Sequence, residues 1–207
     1  MNNAGVKGFD PLDSLTEEII DGYFAVNAKA PYLLTKRALD LMPNGGRIIN
    51  ISSSSTQMSS PAALAYSMSK GALEQITQHL APVLASRDIT INTVSPGMTE
   101  TDHPFFRDPQ FREFAAGLSI FNRIGSVSEV ADIVAFVASD EARWMTGVNL
   151  DATGGSLLTL AMPQANKAVN HALLEESSSS PSQAVPRAED ADILEAAGIA
   201  VVDHAVT

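Results

Sequence analysis

Tyr66 and Lys70 stand four residues apart in Ala65-Tyr66-Ser67-Met68-Ser69-Lys70, thirteen residues beyond Ser53. Positions i and i+4 of a helix share one face, so a phenol and an ammonium so spaced can address the same small volume. A free tyrosine ionises near about 10 and is a poor acid–base at neutral pH. A lysine held beside it favours the phenolate and brings the group towards the working range. Ser53 follows the strand-like run Arg47-Ile48-Ile49-Asn50-Ile51, and its hydroxyl could meet the same substrate oxygen from the strand end. Three polar groups converging on one oxygen point to carbonyl–alcohol redox chemistry.

These side chains need elements to hold them. Ser14-Leu15-Thr16-Glu17-Glu18 opens like a capped helix, with Ser14 and Glu17 at capping-box spacing. The helix should reach about Leu41, with Pro31 either kinking it or separating a short N-terminal piece. Residues 47–51 read as a β-branched strand, Leu64 to Ser86 as a helix and Ile89 to Val94 as the next strand. Strand, helix, strand at this spacing is a βαβ unit and implies a parallel sheet. Ser128 to Ala138 reads as a helix with Ser128 as its cap, and Gly147 to Leu150 as a final strand. Between them, Phe105, Phe106, Phe111, Phe114 and Phe121 punctuate a mixed stretch that reads either as a substrate-covering lid or as a surface helix packed on the core.

The run from Gly46 to Leu73, with its GRIINISS strand, variable loop and YxxxK helix, resembles the active-site segment of the short-chain dehydrogenase/reductase family. Asn2-Asn3-Ala4-Gly5 looks like that family's NNAG, Asn27 matches its helix asparagine, and Pro96-Gly97-Met98-Thr99-Glu100-Thr101 resembles its PGxxxT. Asp151-Ala152-Thr153-Gly154-Gly155 is similar to its terminal turn, with Thr153 where an aspartate is more usual. The resemblance covers residues 1–160 and implies an α/β, Rossmann-like parallel sheet with helices on both faces. It implies an NAD(P)-dependent oxidoreductase that interconverts a ketone and a secondary alcohol, with NAD and NADP not distinguishable. Tyr66 would be the acid/base, Lys70 would lower the Tyr66 pKa and bind the nicotinamide ribose, Ser53 would polarise the substrate oxygen, and Asn27 would hold a water linking Lys70 to solvent. Ser52, Ser54 and Ser55 are rivals for the serine role. Asn3 and Gly5 would approach the adenine ribose, and Pro96, Gly97, Thr99 and Thr101 the nicotinamide carboxamide. A homo-oligomer, dimer or tetramer, is implied as well.

The match begins within the family's pattern. No GxxxGxG-like segment occurs among the 207 residues, although pyrophosphate needs such a turn to approach backbone N–H groups at a helix N-terminus. The expectation is therefore an N-terminally truncated domain whose sheet exposes an apolar edge. Two alternatives stay open: a start placed too late, or a non-catalytic derivative acting as an assembly or regulatory partner that no longer binds cofactor.

Composition narrows the remaining classes. The formal charge of −11 and the lack of a Lys/Arg cluster argue against nucleic acid as a partner, while the resemblance implies a small carbonyl or alcohol substrate. No cysteine is present and His79 and His103 lack companions at ligand spacing, so no metal is expected. No apolar run approaches about 18 residues and no N-terminal stretch reads as a signal peptide, which predicts no membrane association and a cytoplasmic location. Residues 161–207 read as a separate acidic, Ser-rich, largely disordered tail. From residue 156 onward, two basic residues face seven acidic ones, and Ser177 to Ser182 has a linker composition.

Overall fold

The computed structural model describes residues 1–161; the expected flexible tail lies outside the described residues. Its centre is a parallel sheet of β1 (Arg47–Ile51), β2 (Thr90–Pro96) and β3 (Asn149–Ala152) in the order β1-β2-β3. Ile48 pairs with Ile91 and Val94 with Leu150 across the two ladders. Side chains alternate between faces along a strand. Ile48 accordingly packs with Ile91, Ile89, Ala81 and Leu84 on one face, while Ile49 packs with Val94 and Val137 on the other. The first face is covered by α3 (Leu64–Leu84), against which α1 (Glu17–Phe24) and α2 (Ala30–Ala38) pack, and the second by α5 (Val127–Ala138). This is the doubly covered α/β arrangement expected from the sequence.

Several boundaries differ from expectation, each for a local reason. The cap of α1 is Thr16, whose hydroxyl accepts from the Ile19 N–H; Ser14 instead ends a 3₁₀ turn and bonds Pro11. Of the two outcomes expected at Pro31, the structure shows the separate short N-terminal helix, α1. A π-turn over Ala25–Lys29 joins α1 to α2, and Pro31 sits in the first turn of α2, where its missing N–H costs least. Ser126, not Ser128, caps α5 and completes a capping box with Glu129. Helix α3 closes two residues earlier than expected through a 3₁₀ turn, and β3 runs two residues later.

The outer edge of β1 meets a single residue among those described. Asn2 N–H donates to Ile49 O at 2.8 Å and Ile51 N–H donates to Asn2 O at 3.0 Å. The Asn2 amide reaches Asn50 at 2.7 Å, and a buried polar chain continues from Asn50 to Thr77 and on to Thr93. The apolar faces on either side carry most of the stability. Replacing Ile91, which is fully buried, by Ala should lower the unfolding free energy by about 2–5 kcal/mol in urea titrations followed by circular dichroism.

Candidate active site

Helix α3 and the C-terminal end of β1 build the site together. The apolar positions Leu73, Ala81 and Leu84 face the sheet, and this fixes the rotation of α3 so that Tyr66, Lys70, Glu74 and Thr77 run along the same side. The Lys70 side chain points at the strand end, where its ammonium donates to Ile51 O at 2.8 Å. Only 4% of Lys70 is exposed, and burial pulls its pKa down. Tyr66 is partly buried. Its phenol lies beside the Ser53 hydroxyl, and the Lys70 ammonium lies 6.0 Å from its ring centre. Burial raises the Tyr66 pKa and the Ser53 hydroxyl partly offsets that rise, so the protonated phenol is favoured. The downward shift expected from Lys70 is not the net result in this arrangement, because loss of hydration outweighs the other influences.

Of the rival serines, Ser52 has another partner. Ser52 Oγ donates to Glu74 Oε1 at 2.6 Å, and Thr56 Oγ1 donates to the same oxygen at 2.8 Å, so Glu74 braces the loop that presents Ser53. Ser54 is buried, and Ser55 Oγ is a buried hydroxyl without a hydrogen-bond partner among the described residues. Sequence reasoning passed over Glu74. Its position one turn beyond Lys70, on the Tyr66–Lys70 face, is the signal that identifies it.

Asn27 is fully buried in the π-turn. Its amide accepts from Val6 N–H at 2.9 Å, donates to Val6 O at 2.9 Å and donates to Ser69 Oγ at 3.0 Å. It therefore clamps the 5–7 segment against α3. A Cβ at Gly5 would stand 3.1 Å from Asn27 Oδ1 and 3.3 Å from Lys70 Nζ, so the backbone at Gly5 runs directly beside the ammonium. Asn3 is exposed just before it.

Pro96, Gly97, Thr99 and Thr101 form a neighbouring group whose hydrogen bonds run elsewhere. Gly97 is pressed onto the last turn, where a Cβ would lie 2.9 Å from Thr153 Cα. The Thr99 hydroxyl donates to Gly97 O at 3.3 Å, and Thr99 bridges in parallel to Gly125. Thr101 is exposed and accepts from His103 N–H at 3.4 Å. Among the described residues no group of His, Asp and Glu is placed to hold a metal ion, and no helix is long and apolar enough to cross a membrane.

The aromatic stretch folds into a 3₁₀ turn, Pro104–Arg107, and α4 (Pro109–Gly117). Its rings pack largely on one another: Phe105 and Phe106 each lie 5.5 Å from Phe111, and His103 lies 4.4 Å from Phe105. Arg112 ties the start of this segment to Glu100 at 2.5 Å and holds that carboxyl below its usual range.

A parallel α/β sheet, a serine at one strand end and a Tyr-x-x-x-Lys helix beside it are now in view together. The family model described as enoyl-(acyl carrier protein) reductase matches residues 1–157. An uncharacterized oxidoreductase of Methylorubrum extorquens is 40% identical over 158 residues, which cover 75% of this chain and 64% of that protein. Versicolorin reductase 1 of Aspergillus parasiticus is 35% identical, covering 75% of this chain and 64% of its own length. Among solved structures, angucycline C-6 ketoreductase LanV with bound NADP is similar with a TM-score of 0.74 at 49% identity, covering 76% of this chain and 61% of LanV. The reductase LugOII, which catalyses keto-reduction at C1 during lugdunomycin biosynthesis, gives 0.74 at 52% identity, covering 75% of this chain and 62% of LugOII. The chain belongs to the short-chain dehydrogenase/reductase family and spans less than two thirds of the length of these relatives.

The phenol can be followed without any turnover. In a difference titration of wild type against Tyr66→Phe, monitored by tyrosinate absorbance, Tyr66 should ionise above the usual value of about 10. Ser53→Ala should move it further upward, because the lost hydroxyl had favoured the phenolate.

Proposed function

We propose that residues 1–160 carry the proton-transfer site of an NADP-dependent reductase that converts a ketone to a secondary alcohol. The observation that carries this reading is the Tyr66 phenol set beside Ser53, with the buried Lys70 ammonium 6.0 Å from its ring centre. Tyr66 gives its phenolic proton to the carbonyl oxygen, and Ser53 holds and polarises that oxygen. Asn27, whose side-chain amide is committed to Val6 and Ser69, would hold the water that links Lys70 to solvent.

The residues present fit the nicotinamide-ribose end of the cofactor. An ammonium has three donors, and Ile51 O takes one, which leaves two buried N–H groups that suit ribose hydroxyls. Gly5 leaves room beside them; Asn3, two residues before it, would approach the adenine ribose, and Pro96, Gly97, Thr99 and Thr101, at and beyond the next strand end, would approach the carboxamide. When bound, the reduced dinucleotide supplies the hydride. The choice of NADP rests on likeness to LanV, which was solved with NADP. The clustered phenylalanines support an apolar, aromatic ketone as substrate, and the likeness to LanV, an angucycline C-6 ketoreductase, supports a ketone. The exposed Tyr32, Leu33 and Leu34 on α2 support self-association into a homo-oligomer. A second reading, an assembly or regulatory partner that no longer binds cofactor, draws on the same exposed face of α2.

NADPH fluorescence titration and ketone-dependent NADPH oxidation separate the two. The reductase reading expects saturable binding and turnover, with kcat reduced about 10²- to 10⁴-fold in Tyr66→Phe. No NADPH binding by the purified chain, or a Tyr66→Phe variant with undiminished kcat, overturns it. The pH profile has a definite sign. Ketone reduction needs the protonated phenol, so its rate should fall as pH rises through the Tyr66 pKa of the filled site, while alcohol oxidation rises over that range.

A further inference from the structure

Residues 6–10 make a short arch beside the site, and its pins are unusual. Asn27 holds Val6 through both backbone groups. Gly8 lies against the Tyr23 hydroxyl so closely that a side chain there would collide with it. Asp10 N–H donates to Ala62 O at 2.7 Å, and Asp10 Oδ2 accepts from the buried Tyr23 hydroxyl at 2.6 Å. Phe9 sits between these last two pins with over half its surface exposed, and its ring faces Phe105 at 6.4 Å between centroids, tilted by 52°. Phe105 in turn rests on His103 and Phe111. On the other side, the Tyr23 ring meets the Tyr66 ring edge-on at 6.3 Å and 63°. One phenol therefore touches both the reacting tyrosine and the arch that carries Phe9.

We propose that Asp10 and Tyr23 form a latch that positions Phe9 as one jaw of an aromatic clamp, with Phe105 as the other, and that this clamp selects planar aromatic ketones. The proposal rests on the reductase reading for its substrate but not for the latch itself. Two half-exposed rings at this separation can slide apart to admit a flat ring between offset-stacked faces, whereas a small aliphatic ketone gains little from them. Rigid placement matters, because an anchored ring contributes stacking without first losing conformational entropy. Tyr23 is a positioning residue here, acting through Asp10 and Phe9. The raised Tyr23 pKa, pushed up to about 12 by burial and by Asp10, keeps its hydroxyl a donor at all working pH values.

Lys7 is exposed within the arch and reports on the latch independently of turnover. The full chain and its variants are digested with trypsin under native conditions, and cleavage after Lys7 is followed by mass spectrometry, with thermal melts checking the fold. Tyr23→Phe and Asp10→Ala should speed that cleavage at least tenfold, whereas Asp10→Asn, which still offers Tyr23 an acceptor oxygen, should stay within about threefold of wild type. In NADPH-coupled assays, Tyr23→Phe and Phe9→Ala should lower kcat/KM for α-tetralone relative to cyclohexanone at least fivefold, chiefly through KM. Unchanged Lys7 cleavage in a folded Tyr23→Phe protein overturns the latch. Faster cleavage with an unchanged α-tetralone to cyclohexanone ratio overturns the clamp. A wild-type chain that reduces neither ketone sinks the reductase reading and the clamp with it, and Lys7 cleavage then decides the latch alone.

Discussion

The buried ammonium of Lys70 constrains the rest of the site. Removing a charge from water is tolerated only where polar partners meet it. Lys70 is met by Ile51 O at the strand end. That contact sets how far along β1 the helix α3 must lie. Once Lys70 is fixed, Tyr66 falls one turn earlier beside Ser53, Glu74 one turn later beside Ser52, and Thr77 beneath Asn50. Four helix positions thus answer four successive positions around the strand end. Sliding α3 by one residue would strand the ammonium and separate every pair together, so packing and site geometry are fixed by the same register.

Parallel pairing then gathers the other groups. All three strands point the same way, so Ser53 after β1, Pro96 at the end of β2 and Thr153 after β3 emerge on one edge of the sheet. Ligands of open α/β sheets bind beyond such carboxyl ends. Close approach there explains Gly97, whose missing side chain lets β2 turn against Thr153. It also explains Gly154 and Gly155, which take positive φ of 62° and 75° as the chain leaves β3.

What was legible in the sequence follows from the distance over which each feature is specified. The Tyr66–Lys70 face is written in one helical turn, and β1 in a run of β-branched residues, so both were readable. Helix starts were misplaced by two residues because Ser14 and Thr16, or Ser126 and Ser128, are chemically equivalent candidates. Backbone geometry alone decides which hydroxyl reaches the free N–H groups. The phenylalanine-rich segment was visible as composition, but its contact with Phe9 joins residues 96 positions apart and leaves no periodic trace. The same holds for Asp10 and Tyr23, a pair made by a loop folding back on a helix.

Burial moves the two central groups in opposite senses, and this couples ligand binding to proton transfer. It raises Tyr66 and lowers Lys70, so in both cases the neutral form is favoured. Oxygen acceptors placed on the two remaining Lys70 donors, as a bound ribose would place them, favour the ammonium. A firmer positive charge 6.0 Å from the phenol ring then favours the phenolate and draws the Tyr66 pKa back down. By linkage, a Tyr66 phenolate strengthens binding of any group that stabilises the Lys70 cation. In the reductase reading the phenol is thus held firmly protonated before the site fills and is easier to deprotonate once it has. That ordering suits a group that must give up its proton only after the substrate oxygen has arrived.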